Sequence, residues 1–321
     1  MTDTAINSRF AFAPAGAIYV ADDICGGPHR MSQDAHIPIY KMNGLGNQIV
    51  VADLRRSSAV LSEDQARTIA AHPRTPFDQL MCLHRPQSPA TAAYIRIHNT
   101  DGSSAGACGN GMRCVGLITR DGDGQGALKF ETSAGILDVA FPGDGMISVD
   151  MGRPRFDWQD IPLRDPFHDT TRIELQVGPI DDPLLHSPSV CNMGNPHAVF
   201  WVDDVDAPVL EKFGPMLENH PIFPDRANIS LAQIVANDHA RARTWERGAG
   251  LTQACGSAAC AVLACGARLG RLARKATISV PGGDLLVEWN AQDRIIMTGP
   301  AELEYRGVMH IGADGAVAIE A

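Results

Sequence analysis

Cys108 and Cys255 stand 147 positions apart (255 less 108), and each sits inside an Ala-Cys-Gly triplet. The first stretch reads Ala107-Cys108-Gly109-Asn110-Gly111-Met112-Arg113-Cys114, the second Ala254-Cys255-Gly256-Ser257-Ala258-Ala259-Cys260. Each follows a strand-like run (Tyr94 to His98; Arg241 to Glu246) and a glycine-containing loop. Each opens an apolar stretch that reads as a helix (Val115 to Ile118; Ala258 to Leu263). Both thiols are thus expected at helix N-termini, where free backbone N–H groups and the positive end of the helix dipole favour thiolate. The expectation is a lowered thiol pKa and a usable base or nucleophile.

The elements that must position these thiols are themselves duplicated. Gly46-Asn47 recurs as Gly194-Asn195 at an offset of 148, and Asn99 corresponds to Glu246 at 147. Gly135-Ile136-Leu137-Asp138-Val139 is echoed by Gly283-Asp284-Leu285-Leu286-Val287, and Val149-Asp150-Met151-Gly152 by Ile295-Ile296-Met297-Thr298-Gly299. A nearly constant offset over several elements predicts two copies of one fold. Two copies are too few for a solenoid. The expectation is two lobes facing each other across a cleft, one helix-capping cysteine from each, with the thiols on opposite sides of one bound molecule.

Composition bounds the reading. With 321 residues and 45% hydrophobic content, the chain is long and apolar enough for two globular lobes. No apolar run approaches the roughly 20 residues of a membrane span. Residues 1–30 lack the basic start and continuous apolar core of a signal peptide, which predicts a cytoplasmic protein. Eight cysteines are then expected to be reduced thiols rather than a disulfide framework. A net charge of −10 speaks against nonspecific nucleic-acid binding.

Residues 1–35 read as a poorly ordered extension, with Met31 as an alternative start, before the strand signal of Ile37 to Met42. Asn43-Gly44-Leu45-Gly46-Asn47 lacks the third glycine and following helix of a dinucleotide fingerprint, yet its glycines and Asn47 suit a small polar ligand. Ser62 to Arg67 starts a helix with an N-cap and an acidic first turn. Gln79 enters the next strand either as a ligand contact or as an ordinary strand polar residue. Leu128 to Val149 reads as a meander, and Gly152-Arg153-Pro154 as a lobe boundary. In the second copy His197, two residues after Asn195, is a candidate general base or an orienting partner. Glu246-Arg247, in a glycine-rich loop before Cys255, resembles a pair for holding an amino acid: Arg takes a carboxylate and Glu an ammonium.

Other cysteine chemistry fits less well. No Cys-x2-Cys spacing occurs, so neither a zinc site nor a thioredoxin-like motif is expected. Cys114, Cys260 and Cys265 fall in apolar helical runs and read as packed thiols. None of the four lysines sits in a pyridoxal-phosphate context. No cofactor and no metal are therefore expected.

Taken together, Met42 to Asn47, Asn99 to Ser103, Cys108 to Gly111, Gly194 to His197, Trp245 to Gly250 and Ala254 to Ser257 resemble the diaminopimelate epimerase family, over roughly residues 37 to 306. The resemblance implies two pseudo-symmetric α/β lobes, each a sheet or barrel around a central helix, with the site between them. It implies an N-terminal lobe of residues 36–152 plus 301–321 and a C-terminal lobe of 153–300. It implies pyridoxal-phosphate-independent interconversion of LL- and meso-diaminopimelate, in lysine and peptidoglycan precursor synthesis, by a homodimer meeting near Tyr305. By position, Cys108 and Cys255 become the acid/base thiols, assisted by His197 and Glu246. Asn47, Gln79, Asn99, Asn195, Asn228, Glu246 and Arg247 become substrate contacts, and the N–H groups of Gly109, Asn110, Gly256 and Ser257 a carboxylate cradle. The family often has His at Asn43, Asp at Gln48, Glu at Leu251 and Thr-Gly at Ser257-Ala258; Ser257 keeps the hydroxyl. Two readings stand beside this one. One is a proline or hydroxyproline racemase-like enzyme of the same fold; the other is a thiol redox or binding protein whose facing cysteines form a disulfide.

Overall fold

The computed structural model describes residues 35–106, 108–120, 126–312 and 314–320. Apart from Ala35, the extension expected at 1–35 lies outside the described residues. The first copy runs β1 (Ala35–Asn43), β2 (Gln48–Asp53), α1 (Glu63–Ala71), β3 (Gln79–His84), β4 (Ala93–Asn99), β5 (Ser104–Ala105), α2 (Gly109–Thr119), β6 (Ala127–Thr132), β7 (Gly135–Gly143) and β8 (Met146–Asp150). A short antiparallel pair follows, β9 (Gln176–Val177) with β10 (Leu185–His186). The second copy runs β11 (Ser189–Asn192), β12 (Pro196–Trp201), α3 (Val209–Glu218), β13 (Asn228–Ala236), β14 (His239–Glu246), β15 (Gly250–Thr252), α4 (Gly256–Arg268), β16 (Lys275–Val280), β17 (Gly283–Trp289) and β18 (Ile295–Gly299). The chain ends in β19 (Glu302–Ile311) and β20 (Val317–Glu320).

The duplication extends to the ladder pattern. β2 pairs parallel with β3 and β12 parallel with β13; β4 pairs parallel with β6 and β14 parallel with β16. Parallel neighbours need crossover connections. Helices α1 and α3 supply the first type, and the cysteine-capped α2 and α4 the second. The antiparallel pairs β1–β2, β3–β4, β4–β5, β6–β7 and β7–β8 are repeated as β11–β12, β13–β14, β14–β15, β16–β17 and β17–β18.

The copies join through β8 and β18, where Ile296 faces Asp150 and Met297 faces Val149. At the offset of 147, Val149 corresponds to Ile296 and Asp150 to Met297. Each copy therefore offers the other the same segment, an isologous contact about a local two-fold. Backbone bonds from Met151 N–H to Ile295 O (2.8 Å) and from Ile295 N–H to Gly152 O (2.8 Å) extend it. The two copies also reach across to each other's edges. After β8, Arg155 bridges to Asn192 of β11; after β18, β19 lies antiparallel along the whole of β1.

Burial follows from these layers. In β2, Ile49 and Val51 join the cluster around α2, while Val50 and Ala52 join a second one under α1. Both faces of this strand are covered, so it reads as a continuous apolar run. The second copy repeats this with Val199 of β12 on the inner side and Ala198 and Phe200 under α3. The inner cluster is continuous around both central helices. Helix α1 carries the expected start as a full capping box, Ser62 with Gln65. The sequence pattern did not mark α3, and Pro215 stands inside it; its buried residues Leu210, Gly214 and Leu217 dock it on the sheet instead. Among the described residues no helix is long and apolar enough to cross a membrane.

The loop between β1 and β2 seats on the second copy at Gly282, where an added Cβ would lie 1.8 Å from the Leu45 carbonyl oxygen. The obstruction is backbone and cannot rotate away. Gly282→Ala is expected to destabilise the fold by about 2–3 kcal/mol, read as a lower urea midpoint with unchanged slope; an unaltered midpoint would contradict this seating.

Candidate active site

Both cysteines are helix N-caps with extended backbones, Cys108 at φ −147° on α2 and Cys255 at φ −121° on α4. The Cys108 sulfur accepts the Gly111 N–H at 3.2 Å, and its thiol donates to Gln79 Oε1 at 3.5 Å. Cys255 makes no side-chain cap bond and lies 3.5 Å from Ser257 Oγ. The thiol pKa values depart from the sequence expectation. Burial pushes Cys108 up to about 11; the Gly111 N–H opposes this, Glu246 adds to it, and Arg113 and the Asn110 N–H oppose it. Burial, then the charge and hydrogen bond of Glu246, raise Cys255 well above the ordinary thiol range, with Ser257 and the Ala258 N–H opposing. Desolvation disfavours the charged form more than a helix end favours it.

The two helix starts meet. Asn110 Nδ2, in the first turn of α2, donates to the Ala254 carbonyl just before Cys255 at 3.0 Å. Met297 of β18 spans both ends: a Cβ on Gly109 would come within 2.9 Å of its Cε, and one on Gly256 within 2.9 Å of its Sδ. A side chain at either position would have to displace the end of Met297. Arg113, 0% exposed, sits beneath and donates to the Pro300 carbonyl at 3.0 Å and to Met297 Sδ at 3.6 Å.

The other candidates line the strand ends leading into these helices. In β3 and β4, Gln79 and Asn99 are register partners, and Asn99 Nδ2 donates to Ser103 Oγ at 3.0 Å. Asn47 Nδ2 donates to Asp78 Oδ2 at 3.1 Å, and Asn47 Oδ1 is buried with no partner among the described residues. In the second copy His197 and Asn228 are register partners. Asn228 donates to the Pro196 carbonyl at 3.0 Å and accepts the Arg247 N–H at 3.0 Å. Glu246 Oε1 accepts from Thr252 Oγ1 at 2.6 Å, and burial raises its pKa. Arg247 Nη1 donates to the Asp225 carbonyl at 2.9 Å. Sequence reasoning passed over Asp78, Thr252, Met297 and Arg113. Asp78 adjoins Gln79 but, like the others, carries no local motif of its own.

His197 is 0% exposed, with Nε2 2.7 Å from Asn195 Oδ1. Of its two sequence readings, this geometry fits the orienting one. Burial lowers its pKa to about 3, with Arg247 adding to the effect. The folded state thus refuses a proton that the unfolded chain takes up below about pH 6.5. The associated stability is present above pH 6.5 and drains away as pH falls toward 3. His197→Gln is expected to flatten the acid side of a Tm-against-pH curve in that window; an unchanged slope would show that His197 is not the group responsible.

Comparison with known proteins agrees with this geometry. A family model described as diaminopimelate epimerase matches residues 39–156 and 189–304. A diaminopimelate epimerase of Afipia carboxidovorans is 58% identical over 270 residues, covering 84% of this chain and 93% of its own. One from Brucella canis is 58% identical over 268 residues, covering 83% and 88%. Among solved structures, a hydroxyproline epimerase from Agrobacterium vitis matches with a TM-score of 0.60 at 13% identity, covering 89% of this chain and 95% of its own. A PhzF-family phenazine biosynthesis protein of Enterococcus faecalis matches at 0.59 and 16%, covering 85% and 99%. At such identities these two share the fold alone: a mixed α/β architecture, mostly sheet, with two repeated lobes. With its paired cysteine-capped helices, the chain belongs to the diaminopimelate epimerase family.

Proposed function

We propose that the protein is a diaminopimelate epimerase that interconverts the LL and meso isomers through Cys108 and Cys255, without a cofactor. The observation that carries the reading is the meeting of two cysteine-capped helix starts at Asn110, Ala254 and Met297. Inverting a carbon centre requires a proton to leave one face and another to arrive at the opposite face. One thiolate takes the α-proton, and the electrons of the C–H bond pass into the adjacent carboxylate as a carbanion. The facing thiol then delivers its proton to the other side. The pair finishes with its proton on the opposite sulfur. The N–H groups of Gly109, Asn110, Gly256 and Ser257 hold the carboxylate on which negative charge accumulates. Their preorganisation by the two helices supports that assignment.

The remaining roles follow the same reading. Asn47, Gln79, Asn99, Asn195 and Asn228 bind polar groups of the substrate; Arg247 takes the far carboxylate, and Glu246 the ammonium. Glu246 and His197 assist the thiols, His197 by aligning Asn195. Lobe boundaries near 152 and 300, a homodimer and a cytoplasmic location belong to the proposal, the boundaries being supported by the pairing of β19 with β1 and of Arg155 with Asn192.

Incubation of the reduced protein with LL-diaminopimelate in deuterated water is expected to yield the meso isomer with deuterium at one α-centre, followed by chiral separation and mass spectrometry. No conversion would discard the substrate. Cys108→Ala and Cys255→Ala are each expected to lower kcat by about 10³-fold or more with the thermal transition retained. Appreciable turnover in either would sink the two-base scheme.

A further inference from the structure

Glu218 closes α3 and is only 6% exposed. A carboxylate at the negative end of a helix dipole, and out of water, is unfavourable on both counts unless donors surround it. Glu218 Oε2 accepts from Trp245 Nε1 at 2.8 Å; Oε1 accepts from the Gly248 N–H at 2.9 Å and from Arg226 Nη1 at 3.1 Å. Two of these donors flank Glu246-Arg247 on either side, and the third belongs to the loop that leads into Asn228. That second loop is tied to the first by Arg247 Nη1 on the Asp225 carbonyl and by the Arg247 N–H on Asn228 Oδ1. Arg226 lies at φ 59°, a left-handed conformation that a non-glycine residue keeps only with support. The first copy holds its equivalent loop with a different chemistry, Arg67 Nη1 of α1 donating to the Asp101 carbonyl at 2.7 Å.

We propose that Glu218 is a positioning residue for substrate binding, its carboxylate gathering Trp245, Gly248 and Arg226 so that the turn between them presents Glu246 and Arg247 toward the cleft. The inference rests on the reading of Glu246 and Arg247 as the substrate-holding pair. It adds a third residue that touches no substrate yet sets where that pair stands. Replacing the carboxylate by an amide exposes its geometry. Whichever way a glutamine is turned, its NH2 confronts one of the N–H donors. With the amide oxygen kept on Gly248, the conflict falls on Trp245 Nε1, and removing that donor relieves it.

Glu218→Gln is expected to raise KM for LL-diaminopimelate about 10-fold with a smaller change in kcat, as for lost ground-state binding. Glu218→Gln combined with Trp245→Phe is expected to bring KM back to within about threefold of wild type. An unchanged KM in the folded single variant, or no recovery in the double variant, would overturn the proposal. The wild-type protein gives an arm that needs no substrate and no folded variant. Gly248 is exposed and sits in a tight turn, yet its amide is bound to a carboxylate. It is expected to exchange with deuterium markedly more slowly than unstructured backbone, as measured by NMR, and free exchange there would overturn the clamp. If wild type fails to turn over diaminopimelate while Gly248 is protected, the substrate assignment falls and the clamp stands.

Discussion

Everything at the site depends on the antiparallel contact between β8 and β18. Because the contact is isologous, it fixes one relation between two copies of the same chain architecture. Each copy ends its fourth strand at a loop that feeds a buried helix, so fixing the copies fixes the two helix starts. The side chain that fills the gap between those starts, Met297, is itself part of β18. Pairing across the seam and spacing across the site are therefore one constraint. The exchange of edge segments, β19 onto β1 and Arg155 onto Asn192, resists opening of the same joint.

The buried position of the thiols carries opposing consequences. Loss of water raises both pKa values and so makes the thiolate form costly. The same loss makes any thiolate that forms a stronger base, and a weakly acidic α-proton demands one. Helix-end N–H groups lower the cost without cancelling it. In such a site, preorganised donors act at full strength because no water competes with them.

The copies have diverged where chemistry needs asymmetry. Ile49 occupies the place of His197, Asn99 that of Glu246, and Cys260 that of Arg113. The first half thus offers neutral amides beside Cys108 with a buried guanidinium below. The second offers a carboxylate beside Cys255 and an imidazole aligned on Asn195. Two identical halves would read both ends of an extended molecule alike.

The sequence by itself determined the duplication, the two cysteine-capped helices and the polar residues that recur at the same offset. These are properties of spacing, and local backbone physics enforces them: a helix start needs a cap, and a repeated pattern builds a repeated unit. The family resemblance followed from the same residues. Only the tertiary structure decided that Asn110 reaches Ala254, that Met297 packs against both helix starts, that Asp78 bonds Asn47 and Thr252 bonds Glu246, that Arg113 reaches Met297, and that Glu218 gathers Trp245, Gly248 and Arg226. Apart from Thr252 with Glu246 and Glu218 with Arg226, none of these has a partner nearby in sequence, so no local pattern marks them. Tertiary packing also reversed the expected thiol shift. A helix N-terminus is visible in sequence, whereas desolvation depends on every layer of the fold that excludes water from it.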